Sequence, residues 1–180
     1  GLSDRQVRDY SLEGRVRDLE AVVDALGLER FGLYGLSEGG PTAITYAVRH
    51  PERVSHLILY GSFARMWWFL DTEEGQQQLE TGLALMRQGW SSDVPAYRQF
   101  FTGLFMPDAE AQAIGWFNEL QRISTSGENA ARLVSALPDI DVTQLLPQVT
   151  APTLVIHRRG DTIVPFEGGR ELATGIPQAR

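Results

Sequence analysis

Arg30-Phe31-Gly32-Leu33-Tyr34-Gly35-Leu36-Ser37-Glu38-Gly39-Gly40 sets one serine between glycines where a short apolar run meets a helical pattern. This is the G-x-S-x-G arrangement of a nucleophile elbow, in which the chain turns so sharply that the serine is strained and its hydroxyl stands above the sheet. Such a turn needs very small neighbours, here Gly35, Gly39 and Gly40. The pentapeptide alone also fits an ordinary strand-to-helix connection. Its setting favours the elbow: Phe31 to Tyr34 read as a short buried strand, and Pro41 to His50 as a helix with proline near its first turn. A helix starting there aims unpaired N–H groups and the positive end of its dipole at Ser37, which suits a site where an oxyanion forms.

Upstream, Ser11 reads as the N-cap of a helix from Leu12 to Leu26, with Leu12, Val16, Leu19, Val22, Val23 and Leu26 at helical spacing and Gly27 as its stop. Downstream, His50-Pro51-Glu52-Arg53 makes a turn, and Val54 to Tyr60 is a second apolar strand ending at Gly61-Ser62. Helices alternating with continuous apolar strands predict an α/β fold, a parallel sheet with helices on both faces. The character then changes. Residues 63–146 hold all four tryptophans and helical patterns at Glu73–Arg87, Val94–Phe105, Ala109–Ile123 and Asn129–Leu137, which predicts an inserted helical cap. A strand signal returns at Thr153–His157, followed by Gly160-Asp161-Thr162-Ile163-Val164-Pro165 and a helix from Phe166 to Ala173. The expected organisation is therefore core at 1–62, cap at 63–146 and core again at 147–180. Trp67 and Trp68 have two readings, as rings that lock the cap onto the core or as the lining of an acyl or aromatic substrate pocket.

With 180 residues, 43% of them hydrophobic, the chain can bury one core and a small subdomain. A net charge of -7 argues against nucleic acid or an anionic membrane as a partner. The absence of cysteine removes disulfides and thiolate chemistry, and three scattered histidines suggest no metal site. No run approaches the roughly 18 apolar residues of a membrane span, and a cytoplasmic protein is expected. The chain opens without methionine or a signal-peptide pattern, so it reads as a piece of something longer.

Several separate stretches resemble the α/β-hydrolase superfamily, and together they cover nearly the whole chain. Gly1-Leu2-Ser3-Asp4-Arg5 is similar to the loop before the helix that precedes the elbow strand, and Gly35-Leu36-Ser37-Glu38-Gly39-Gly40 to the elbow. His50-Pro51-Glu52-Arg53-Val54 resembles the turn into the next strand, and Gly160-Asp161-Thr162-Ile163-Val164-Pro165 the loop that carries the acid of the triad. The resemblance implies the α/β-hydrolase fold with a helical cap, truncated at both ends.

It also implies Ser37 as nucleophile, Asp161 as the acid that orients a histidine, and the backbone N–H of Glu38 as the first oxyanion donor. Taken without the resemblance, Asp161 is an acidic residue in a turn after a strand. The Glu38 side chain is expected to point to the mouth of the site or to cap the elbow helix. His50 and His56 sit at the end of the sheet away from the elbow, and His157 packs in its loop or serves as base. In the family the base follows one more strand, which would lie after Arg180, and the second oxyanion donor would lie before Gly1. The implied function is a serine hydrolase of esters, lactones or thioesters in the parent protein, needing no cofactor or metal, with the 180-residue piece inactive and prone to self-association. A narrower likeness, to bacterial hydrolase domains fused to nucleotide cyclases or regulators, implies the alternative of a ligand-sensing domain with a fused output domain.

Overall fold

In the computed structural model, which describes residues 4–180, the elbow run folds as strand β1 (Phe31–Leu36), followed after two residues by helix α2 (Gly39–Arg49). Ahead of them, α1 (Leu12–Ala25) starts at Ser11, whose Oγ accepts the Gly14 N–H at 3.1 Å, and it ends where Gly27 turns left-handed at φ +62°. Val16 and Val23 are buried, whereas Val22 and Leu26 of the expected apolar stripe face solvent. A narrow stripe suffices because α1 packs chiefly on α2.

Strands β2 (Val54–Tyr60) and β3 (Thr153–Ile156) complete a parallel sheet in the order β1-β2-β3. Its register places Leu36 beside Tyr60 and Tyr60 beside Ile156, so the three strands end level. On the far side of β3 the Arg180 N–H donates to the Thr153 carbonyl at 3.0 Å and the Val155 N–H to the Arg180 carbonyl at 2.9 Å. Helix α8 (Phe166–Gly175) packs on β3, and α2 packs on β1 and β2.

Burial alternates along the strands. Gly35, Leu57 and Leu59 are fully enclosed, whereas Tyr34, Leu36, Tyr60, Leu154 and Ile156 on the opposite face are 37–55% exposed. This differs from the burial expected of strands covered on both faces, because the helices of this unit leave the second face open. That apolar face predicts self-association of the 180-residue chain. Size-exclusion chromatography should show a species larger than the monomer, and lysine at both Tyr34 and Leu154, two strands apart in one row with Ile58, should shift it toward the monomer.

The chain divides into two compact units, one of them comprising residues 11–66 and 137–180 with the sheet just described. The other joins residues 4–10 to helices α3 (Trp67–Leu70), α4 (Glu73–Gly89), α5 (Pro95–Phe105), α6 (Ala111–Ser124) and α7 (Gly127–Ser135). Here Thr72 caps α4 and Ser126 caps α7, α4 packs on α7, and α5 packs on α6. Residues 4–10 belong to this unit through Arg5, whose Nη2 donates to the Ile123 carbonyl and whose carbonyl accepts from Asn129 Nδ2, both at 2.8 Å. The divisions at 66/67 and 136/137 differ from those read at 62/63 and 146/147. Residues 137–146 join the sheet unit because the Val142 N–H donates to the Ala64 carbonyl at 3.1 Å and Leu137, Ile140, Val142 and Leu146 are buried there. These apolar positions lie in and around two 3₁₀ turns, Leu137–Asp139 and Thr143–Gln148, whose spacing has no long helical period. Of the loop read at positions 1–5, Gly1, Leu2 and Ser3 lie outside the described residues.

Candidate active site

Ser37 holds φ at +50°, the positive value unique to it among described non-glycine residues. An L-residue pays roughly 1–2 kcal/mol for this left-handed conformation, so the surroundings must impose it. They do so through the backbone. The Ser37 N–H donates to the Tyr60 carbonyl at 2.9 Å, continuing the β1–β2 ladder, while its own carbonyl accepts from the Gly40 N–H at 3.1 Å and from Ser62 Oγ at 2.8 Å. The reversal brings α2 hard against the sheet. A Cβ on Gly35 would lie 2.9 Å from Gly40 Cα and 3.0 Å from Ala43 Cβ, and one on Gly40 would collide with Ser62 Oγ. Gly39, by contrast, has open space around it, so the turn requires two small residues where three were expected.

Glu38 follows Ser37 at the N-terminal end of α2, where backbone N–H groups lack intrahelical acceptors. Its side chain makes no capping bond and instead faces Arg15 on α1, 3.8 Å away. Burial pushes its carboxyl above the ordinary carboxylate range, and Arg15 only partly offsets this. Folding therefore favours the protonated form, a contribution complete below pH 4.5 and lost as pH rises through the elevated value. Glu38→Gln should raise the urea midpoint at pH 7, with the gain shrinking as pH falls. The effect is modest, because 36% of the side chain meets solvent.

Asp161 lies in the loop between β3 and α8. Its Oδ1 accepts the Ile163 and Val164 N–H groups, each at 2.9 Å, which fixes the carboxylate plane. Its Oδ2 would be 3.5 Å from a Cβ on Gly61, the residue that follows β2 with φ +53°. Gly61 is bonded to Ser62, which holds the Ser37 carbonyl, so Ser37 and Asp161 share the carboxyl edge of the sheet. In the sequence Gly61 and Ser62 read as the end of a strand and as part of the Leu59–Arg65 stretch that resembles bacterial fused hydrolase domains. Their position beside the elbow follows from the Leu36–Tyr60 register.

Two of the three histidines lie away from this edge of the sheet. His50 Nε2 contacts Glu20 Oε1 at 2.7 Å and its ring packs on Tyr46, and His56 is exposed on β2. The His157 side chain is 3% exposed, with Nε2 3.0 Å from the Val164 carbonyl and 3.9 Å from Asp161 Oδ2, so it fastens the loop of Asp161 across its base. Trp67 and Trp68 are half-buried in the helical unit, their rings edge-to-face at 5.7 Å. Among the described residues no group of three or more His, Asp or Glu side chains could hold a metal ion, and no helix is long and apolar enough to cross a membrane.

The family model described as the alpha/beta hydrolase fold matches residues 1–180. The AB hydrolase superfamily protein YisY of Bacillus subtilis is 30% identical over 187 residues, covering 99% of this chain and 67% of its own length. The 2-hydroxy-6-oxo-6-phenylhexa-2,4-dienoate hydrolase of Comamonas testosteroni is 33% identical, covering 91% of this chain and 58% of its own length. Among solved structures, an esterase from Exiguobacterium antarcticum superposes with a TM-score of 0.83 at 25% identity, covering all of this chain and 67% of that one. The chain thus spans 58–67% of the length of these proteins. Because the match runs through the whole sequence and not the elbow alone, the chain belongs to the α/β-hydrolase fold family.

Proposed function

We propose that this chain carries the nucleophile and the acid of a serine hydrolase acting on carboxylic esters, lactones or thioesters. The observation that carries the reading is the left-handed Ser37 at the start of α2, with Asp161 beside the neighbouring Gly61 on the same sheet edge. Ser37 Oγ attacks the acyl carbon while its proton passes to a histidine, and the Glu38 N–H receives the negative charge that develops on the carbonyl oxygen. The leaving group departs with that proton. Water then attacks the acyl-enzyme, and the serine is regenerated.

The histidine and the second oxyanion donor are assigned to the parent protein outside these 180 residues, since His50, His56 and His157 have other partners or lie elsewhere. The 180-residue chain by itself should therefore turn over poorly. Kinship with an esterase and with a dienoate hydrolase supports hydrolysis of a small acyl substrate. Asp161→Asn should lower kcat about 10⁴-fold in the parent protein, as loss of the orienting acid does elsewhere. The midpoint of thermal unfolding should stay close to wild type, because the amide oxygen can still accept the Ile163 and Val164 N–H groups.

Fluorophosphonate labelling of the parent protein, read by intact mass, tests the assignment. An adduct that maps to Ser37 and vanishes in Ser37→Ala supports the hydrolase. A folded protein that takes no adduct favours a ligand-sensing domain instead.

A further inference from the structure

Val164 is held at both of its backbone polar groups. Its N–H donates to Asp161 Oδ1 at 2.9 Å, and its carbonyl is 3.0 Å from His157 Nε2. A carbonyl only accepts, so Nε2 carries the ring hydrogen and donates it. His157 Nδ1 is closed to solvent with no partner among the described residues, and a hydrogen there would be buried without an acceptor. Both nitrogens therefore select the neutral Nε2–H tautomer. The ring also has little room to turn: it meets Phe166 edge-to-face at 6.0 Å, and a Cβ on Gly169 of α8 would lie 2.5 Å from Nδ1.

We infer, on the hydrolase reading of Ser37 and Asp161, that His157 is the positioning residue of the acid and sets the Asp161 carboxylate through Val164. The path is short. His157 holds the Val164 carbonyl, the Ile163 and Val164 N–H groups hold Oδ1, and Oδ2 is presented to the triad histidine. His157 Nε2 is 3.9 Å from Oδ2, beyond hydrogen-bonding distance, and its one hydrogen goes to Val164. The ring thus fixes the loop without competing for the oxygen that meets the base. Val164 is 2% exposed, so a carbonyl deprived of the ring is left unpaired unless the loop moves. A displacement of about 1 Å in a catalytic group costs roughly 100-fold in rate.

Hydrolysis of p-nitrophenyl acetate by the parent protein, measured well below the unfolding midpoint of every variant, tests the role. His157→Phe and His157→Asn both remove the Nε2 donor, the first keeping a ring and the second opening space, whereas the longer amide of His157→Gln reaches the Nε2 position. Phe and Asn should each lower kcat by about 10- to 100-fold with KM within about 2-fold of wild type, and Gln should restore most of kcat. In an Asp161→Asn background the Phe and Asn substitutions should cost less than about 3-fold more, because no carboxylate is left to aim. Phe and Asn variants that turn over like wild type, a Gln variant no better than Phe, or losses that multiply in the double variants overturn the inference and make His157 a structural residue. In each of those cases a Ser37 fluorophosphonate adduct leaves the hydrolase reading standing, whereas a folded wild type that takes no adduct overturns both.

Discussion

Ser37→Ala should reduce acyl turnover of the parent protein by about 10⁶-fold, the loss typical when a triad nucleophile is removed and only substrate binding and oxyanion stabilisation remain. Folding should hardly change. The elbow is kept by main-chain bonds, from the Ser37 N–H to Tyr60 and from Gly40 and Ser62 to the Ser37 carbonyl, and alanine preserves all of them. Glycine at the same position distinguishes strain from chemistry. It removes the hydroxyl as alanine does, but it adopts φ +50° without steric cost, so Ser37→Gly should be more stable than Ser37→Ala by about 1 kcal/mol. Chemical denaturation of the two variants checks this ordering. An alanine variant that retains turnover would remove Ser37 from the reaction.

Gly40→Ala should be the most damaging single methyl in the sheet unit. The added Cβ would meet Ser62 Oγ and lie 2.7 Å from Ser62 Cβ, and Ser62 is 1% exposed with its hydroxyl committed to the Ser37 carbonyl. Neither partner can retreat, since Gly40 is in a helix pinned to the sheet and Ser62 follows directly on Gly61 at the end of β2. Overpacking of this kind costs about 3 kcal/mol or more, which for a chain of this size lowers the thermal midpoint by about 10 °C. Gly39→Ala, one residue earlier and in open space, should stay within about 0.5 kcal/mol of wild type. Removing the obstacle with Ser62→Gly in the Gly40→Ala background should recover much of the lost midpoint. Equal tolerance of alanine at positions 39 and 40 would show that the helix does not sit this close to the sheet.

Much of this contrast was legible in the residues, and some was not. The elbow, the caps at Ser11 and the β2 limits at Val54 and Tyr60 follow from short-range rules, because the energies that set them act within a few residues. Gly35 and Gly40 were recognisable as small residues, but which of three neighbouring glycines is indispensable depends on Leu59, Ser62 and Ala43, brought in by strand pairing and helix docking. The short helix at Trp67–Leu70 and the 3₁₀ turns of 137–148 escaped because they lack the length over which periodicity accumulates. Asp161 could be named by likeness to a loop pattern. That its Oδ1 is spent on two backbone N–H groups while Oδ2 stands by Gly61 could not.

The sequence by itself determined the kind of protein this is: a parallel α/β core with a serine elbow, interrupted by helices and resumed at an acid loop. Those features are encoded locally, in apolar periodicity, in capping residues and in glycines that permit one turn. Tertiary structure alone decided which side of the sheet stays open, that Glu38 faces Arg15 instead of capping α2, and that His157 fastens the loop of Asp161. It alone buried Arg98 of α5 beside Gln121 of α6. Each of these depends on groups 7 to 23 residues apart, or on different strands, meeting in a low-dielectric interior, where the cost of an unpaired charge or an overlapping methyl is set by neighbours that no local pattern names.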